Sequence, residues 1–272
     1  MKKQAVVVGG GIAGLATAGL LAKAGMHVKL FEARESLGGR AYLWEKDGFR
    51  FDMGPSWYLM PDAFEQFFNL MGTTAEKELN LVRLDPAYQT RNEGLGDRIP
   101  MPQHVEGIKK MFDEIEPGAG KQLGRYLDSA QEAYELSIRH FLYTNFRDLR
   151  SFLHPDVLKK LAKFLKLLTT SLYDFSGKYV KDERLKKMLN FPAVFLGASP
   201  YDTPSMYHLM THVDMNQGVF YPMGGIHTII ESLTKLAKAN GVEIHTSSPV
   251  EQILVTNGVA TGVKLASGNV YA

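Results

Sequence analysis

The chain has 272 residues, 45% of them hydrophobic and 22% charged, a net charge of +2 and no cysteine. That length can bury a full core in one or two domains, and the near-neutral balance implies no nucleic-acid partner. The lack of thiols excludes disulfides and thiolate metal ligands and suits a reducing compartment, and no uncharged apolar run reaches the ~18 residues of a spanning helix.

Ala5, Val6, Val7 and Val8 form a short apolar run suited to a strand buried on both faces of a parallel sheet. Gly9, Gly11 and Gly14 follow at G-x-G-x-x-G spacing: one for the tight turn, one for backbone approach to a pyrophosphate, one for close helix–strand packing. Ile12 to Lys23 is helical in pattern, with Gly25 as its C-cap candidate, so the helix N-terminus can hold a pyrophosphate through free N–H groups and its positive dipole end. His27 to Phe31 is a second strand. Glu32 ends it, 18 residues after Gly14, where an acid accepts both hydroxyls of an adenosine ribose and repels a 2′-phosphate. Strand, turn, helix, strand and acid in this order make a dinucleotide-binding unit that leaves NAD and FAD both open.

Gly38-Gly39-Arg40 discriminates between them. At this point the sequence resembles the flavin amine oxidase and phytoene desaturase superfamily, in which an acidic strand end, a short loop and Gly-Gly-Arg contact FAD. The resemblance implies Glu32 on the ribose, Arg34 and Arg40 at the pyrophosphate or its surroundings, and close backbone approach at Gly39. A guanidinium suits that place because it offers forked donors to phosphate oxygens. Ala41 to Trp44 and Phe49 to Met53 are candidate strands around the turn Lys46-Asp47-Gly48. Asp52-Met53-Gly54-Pro55-Ser56 matches the superfamily's segment beside the flavin ring. Asp52 itself reads either as part of that segment or, preferentially, as a structural turn residue.

Residues 104 to 139, broken at Glu116-Pro117-Gly118, read as two surface helices. Asp156 to Leu168 carries Leu158, Leu161, Leu165 and Leu168 at helical spacing, interleaved with Lys159, Lys160, Lys163 and Lys166. Such a basic amphipathic helix either packs its stripe into a core or lies in a membrane interface. His208 and His212 share a helix face, but Leu209 stands where a zinc-protease motif needs glutamate, so no metal site is expected.

A narrower resemblance, to bacterial phytoene desaturases and related carotenoid desaturases, rests on Leu196 to Tyr207 (LGASPYDTPSMY) and Gly218 to Ile226 (GVFYPMGGI). The second stretch is a turn into a helix over Ile226 to Asn240, followed by a short strand, Val242 to His245. Gln252 to Val255, Val259 to Leu265 and Val270 to Ala272, punctuated by Asn257-Gly258 and Ser267-Gly268, form a three-stranded meander. The family counterpart of Val250 touches the FAD adenine through its backbone.

The expected architecture is α/β: a discontinuous FAD-binding Rossmann-like domain of the glutathione-reductase type, residues 1–60 and 220–272, with a mostly helical α+β substrate domain inserted over 61–219. By resemblance FAD is held by Gly9, Gly11, Ala13, Gly14, Glu32, Arg34, Gly39, Arg40, Gly54, Pro55, Ser56 and Val250. The implied reaction removes hydrogens from adjacent carbons of phytoene or a similar hydrophobic polyene precursor, on a cytoplasmic enzyme peripheral to the membrane. No local pair of residues identifies a base, so catalytic residues stay unassigned. Two alternatives stand beside this reading: a flavin amine oxidase or protoporphyrinogen-oxidase-like enzyme, and an inactive N-terminal fragment, because the superfamily continues past the meander with a further parallel strand and a segment that closes over the flavin.

Overall fold

β1 (Gln4–Val8) runs parallel to β2 (His27–Phe31) with Val8 opposite Phe31, and α1 (Ile12–Lys23) makes the crossover between them. On its other edge β2 pairs in parallel with Glu243–His245, so a strand from far along the chain completes a three-stranded sheet. The computed structural model describes residues 3–91, 98–145 and 154–271; the final residue of the expected strand Val270 to Ala272 lies outside them. Two compact units emerge, Met1–Val82 with Phe220–Ala272, and Arg83–Val219.

The first unit thus runs past residue 60, and the reason is packing. α2 (Pro61–Met71) places Phe68 and Met71 in one buried cluster with Leu15 and Ala18 of α1, Leu30 of β2, and Ile229, Ile230 and Leu233 of the helix His227–Ala239. Each such side chain contributes roughly 1.5–3 kcal/mol on burial, so a boundary at residue 60 would cut through the core. β3 (Leu43–Lys46) and β4 (Phe49–Asp52) form an antiparallel hairpin, turning at Asp47 and Gly48 with φ of 52° and 82°. Gly39–Ala41 is a 3₁₀ turn, so Ala41 does not start a strand. The meander Val250–Thr256, Val259–Leu265 and Val270–Tyr271 is antiparallel throughout.

In the second unit the helices Val105–Ile115 and Ala119–Ser137 lie where the sequence places them, but the longer one is no surface helix. Leu123, Tyr126, Leu127, Ala130 and Tyr134 recur along one face and are buried, while Lys121, Gln122, Arg125 and Asp128 sit on the turns between and suggested exposure. The expected helix over Asp156 to Leu168 is two helices, Pro155–Lys159 and Leu161–Thr169, parted at Lys160. Lys160 and Lys163 both pair with Glu132, Lys160 at 2.6 Å, which turns those lysines toward the protein. Leu158, Leu161, Leu165 and Leu168 face outward, 47%, 43%, 53% and 54% exposed. Among this pair of helices Val157 and Leu167 supply the buried contacts, so within the described residues the leucine stripe is not packed into a core.

Candidate functional site: a glycine-walled groove

The site begins where β1 ends. Gly9, at φ +100°, donates its N–H to Phe31 O at 2.8 Å, and the chain turns straight into α1. The first intrahelical bond is Leu15 N to Gly11 O, so the amides of Ile12, Ala13 and Gly14 precede it and remain as donors at the positive end of the helix. Gly14 is dictated by packing, because a Cβ there would lie 1.9 Å from Gly9 O.

A second turn meets this one. Gly38 N donates to Gly10 O at 2.9 Å, and a Cβ on Gly39, at φ +58°, would stand 3.2 Å from Gly11 Cα. Two glycine turns therefore touch backbone to backbone, with no side chain between them. Met53-Gly54-Pro55 closes against the same turn; here a Cβ on Gly54 would lie 1.9 Å from Arg40 O, so the glycine serves the approach of one loop to another.

Together these segments wall a groove of about 1070 Å³. Gly9, Gly11, Ala13, Gly14, Arg34, Gly39, Arg40, Gly54 and Pro55 line it, as do Val8, Ile12, Gly38, Ala41 and Met53, which are not among the FAD-holding residues expected from the sequence. Val8 and Met53 are exposed apolar residues beside two turns, a combination that marks a surface awaiting a partner molecule. Glu32, Ser56 and Val250 are not in its lining. Both arginines are exposed; Arg34 lies over the Tyr42 ring at 5.1 Å, and among the described residues neither pairs with a carboxylate. The donor set is thus backbone amides, a helix N-terminus and two guanidinium groups, which fits a pyrophosphate. The size and glycine floor fit FAD.

Glu32 has a role the spacing does not show. It is 8% exposed, its Oε2 accepts Gly10 N–H at 2.6 Å and its Oε1 accepts Arg34 N–H at 2.9 Å. The carboxylate holds the Gly9–Gly11 turn to the loop that carries Arg34. Val250 opens the meander and packs with Phe31, Val263 and Leu265. Asp52 is structural: Oδ2 accepts Ile226 N–H at 2.9 Å and Oδ1 accepts His227 N–H at 3.1 Å, capping the helix His227–Ala239. A Cβ on Gly225, at φ +103°, would sit 2.6 Å from that carboxylate.

In the second unit His208 is fully buried, with Nδ1 2.7 Å from Ser205 O and Nε2 3.0 Å from Ser129 Oγ, and burial pulls its pKa down to about 4. His212 lies over Tyr134, 5.0 Å between ring centres, so the two histidines have separate surroundings. Tyr88 donates its hydroxyl to Asp214 Oδ2 at 2.7 Å; burial pushes the Asp214 carboxyl up to about 6, against the opposing effect of that hydrogen bond.

Comparison with known proteins agrees with this geometry. The chain is 41% identical to the carotenoid 3,4-desaturase of Haloarcula japonica over 92% of its length and 50% of the relative's. It is 34% identical to the zeta-carotene-forming phytoene desaturase of Myxococcus xanthus over 98% of its length and 51% of that protein's. It therefore spans about half the length of these curated relatives. Among solved structures, an oxidoreductase from Methanosarcina mazei shares the fold at TM-score 0.65 and 22% identity, covering 98% of this chain and 56% of that one. A putrescine oxidase shares it at TM-score 0.62 and 16% identity, over 97% and 54%. The family model for flavin containing amine oxidoreductases matches residues 12–272, and with the glycine groove in place the chain belongs to that family.

Proposed function

We propose that the protein is an FAD-dependent desaturase that introduces conjugated double bonds into phytoene or a similar carotenoid precursor. The observation that carries the substrate class is the 41% identity to a carotenoid 3,4-desaturase over 92% of the chain. The cofactor site rests on the groove. Gly9, Gly11, Ala13 and Gly14 receive the pyrophosphate at the start of α1, Gly39 and Arg40 approach it from the second turn, and Gly54 and Pro55 form the third wall. Ser56 follows Pro55 just outside the lining, and Glu32 and Val250 would serve the adenosine end. When bound, FAD supplies the hydride acceptor for a carbon–carbon desaturation. What the chain contributes is fixed donors for the phosphates, a backbone surface with no side chain in the way, and exclusion of the 2′-phosphate by Glu32.

We infer further that the enzyme works at a membrane surface, as a peripheral protein of the cytoplasm. Among the described residues no helix is long and apolar enough to cross a membrane. The outward stripe Leu158, Leu161, Leu165 and Leu168 supports the inference, because a row of half-exposed leucines across two short lysine-bearing helices suits the boundary between head groups and acyl chains. A bilayer-dissolved polyene makes such docking useful.

The test is to supply the FAD-loaded protein with phytoene in vesicles and with a polyamine in parallel, and to read product absorbance. Appearance of conjugated polyene bands with phytoene supports the reading. Oxidation of the amine with no polyene from phytoene would replace it by amine oxidation.

A further inference from the structure

His140, His154 and Asp156 are brought together by parts of the second unit that no sequence motif connects. His140 lies on a π-helical turn, Ile138–Leu142, that follows the long helix Ala119–Ser137, whereas His154 caps the helix Pro155–Lys159 and Asp156 sits in its first turn. One ligand atom from each falls within 4.8 Å of the other two. Asp156 Oδ2 is 3.8 Å from His140 Nε2 and 3.6 Å from His154 Nδ1. The two imidazole rings lie 4.3 Å apart between centres at 38°.

We propose that these three side chains form a binding site for a divalent first-row transition-metal ion of the zinc class, which braces the end of the long helix against the start of the Pro155–Lys159 helix. Ligands about 2.1 Å from a tetrahedral ion stand roughly 3.4 Å apart. Two of the three edges are already close to that spacing, and the third closes by rotation of His154, whose side chain is half exposed.

A second observation points to a ligand independently of the spacing. The His140 side chain is only 9% exposed, and among the described residues its buried Nε2 has no hydrogen-bond partner. A buried ring nitrogen left bare is costly and uncommon. Asp156 Oδ2, at 3.8 Å, is too far for a hydrogen bond but suitably placed for an ion between the two. Zinc would satisfy that nitrogen.

The competing contacts are weak. Arg139 Nη1 stands 3.8 Å from the same Asp156 oxygen, on a long exposed side chain that can swing away. His154 Nδ1 accepts the Asp156 N–H at 3.3 Å, a long capping bond that a metal would replace. Two imidazoles and one carboxylate favour zinc, cobalt or nickel over magnesium or calcium, and the absence of cysteine from the chain removes thiolate competition. Three protein ligands leave a fourth position for water. Nothing in this site depends on the flavin reading.

The experiment uses the chelator-stripped full chain. Zn²⁺ is titrated by calorimetry, Co²⁺ is followed by its visible absorption, and thermal unfolding is recorded with and without Zn²⁺. The expected result is one equivalent of Zn²⁺, four-coordinate Co²⁺ bands and a raised melting temperature. H154Q and D156N, both at half-exposed positions, should each weaken Zn²⁺ binding by about 10-fold or more and abolish the Co²⁺ bands while the metal-free protein stays folded, with Zn²⁺ no longer raising its melting temperature. H104Q, at an exposed histidine elsewhere, should bind as the parent does. Zn²⁺ binding by H154Q and D156N equal to the parent's, or failure of the folded parent to bind Zn²⁺, would overturn the proposal.

Discussion

Replacing Glu32 by glutamine separates two accounts of that residue. If Glu32 served only the ribose, the FAD-free protein would not notice the change. The structure says otherwise, because both carboxylate oxygens already accept backbone N–H groups, from Gly10 at 2.6 Å and Arg34 at 2.9 Å. A glutamine can offer its oxygen to one of these amides, and its NH₂ then faces the other, donor to donor. One charge-assisted hydrogen bond is lost, worth about 1.5–3 kcal/mol. Taking about 2 kcal/mol, and 2–4 °C per kcal/mol for a chain of this size, the FAD-free melting temperature should fall by roughly 4–8 °C. FAD affinity should fall separately, only by as much as the neutral glutamine serves the bound cofactor less well than the carboxylate does. Differential scanning calorimetry of the FAD-free protein and a flavin-fluorescence titration read the two effects. An unchanged melting temperature with weakened FAD binding would refute the clamp and restore a pure ribose contact.

Gly14→Ala places a methyl group 1.9 Å from Gly9 O, so it should push α1 from the turn, cost about 1–3 kcal/mol as overpacking does and lower FAD occupancy; a variant that purifies with full flavin would contradict this. Replacing Leu161, Leu165 and Leu168 by glutamine should leave thermal stability within about 0.5 kcal/mol, as exposed positions do, yet reduce sedimentation with anionic vesicles; a large loss of stability would mean that the stripe is packed. Two groups oppose each other in acid. His208, held down to about 4, stays neutral while the unfolded chain takes up its proton below the usual histidine range, so its stabilising share is lost as pH falls toward 4. Asp214, held up to about 6, keeps its proton while the unfolded chain releases one, so its share is lost as pH rises toward 6. Between pH 4 and 6 these trends offset, and Asp214→Asn should steepen the loss of stability on acidification in urea-denaturation midpoints; a pH slope identical to the parent's would contradict the assignment.

Local sequence told most where the physics is local. The turn glycines at 9, 11 and 14 are legible because a βα crossover constrains consecutive residues, and the Asp47-Gly48 hairpin is legible for the same reason. Other features depend on partners far along the chain. Asp52 meets the amides of Ile226 and His227, and Gly54 is required by Arg40 O; neither partner is visible from spacing. The double use of the Glu32 carboxylate follows from the touching of two turns. In the 156–168 stretch, the helical period of the leucines marks a face without saying which way it turns; the pairing of Lys160 and Lys163 with Glu132 decides that. His140, His154 and Asp156 could not be grouped from sequence because a helix end and a helix start must first be brought together.

The most direct measurement of the central claim is anaerobic mixing of the FAD-loaded protein with phytoene in vesicles, following flavin absorbance and polyene absorbance together. The account predicts that the flavin bleaches as polyene bands rise, with one new double bond for each flavin reduced. Flavin that stays oxidised in the presence of phytoene, yet bleaches on addition of a polyamine, would contradict it.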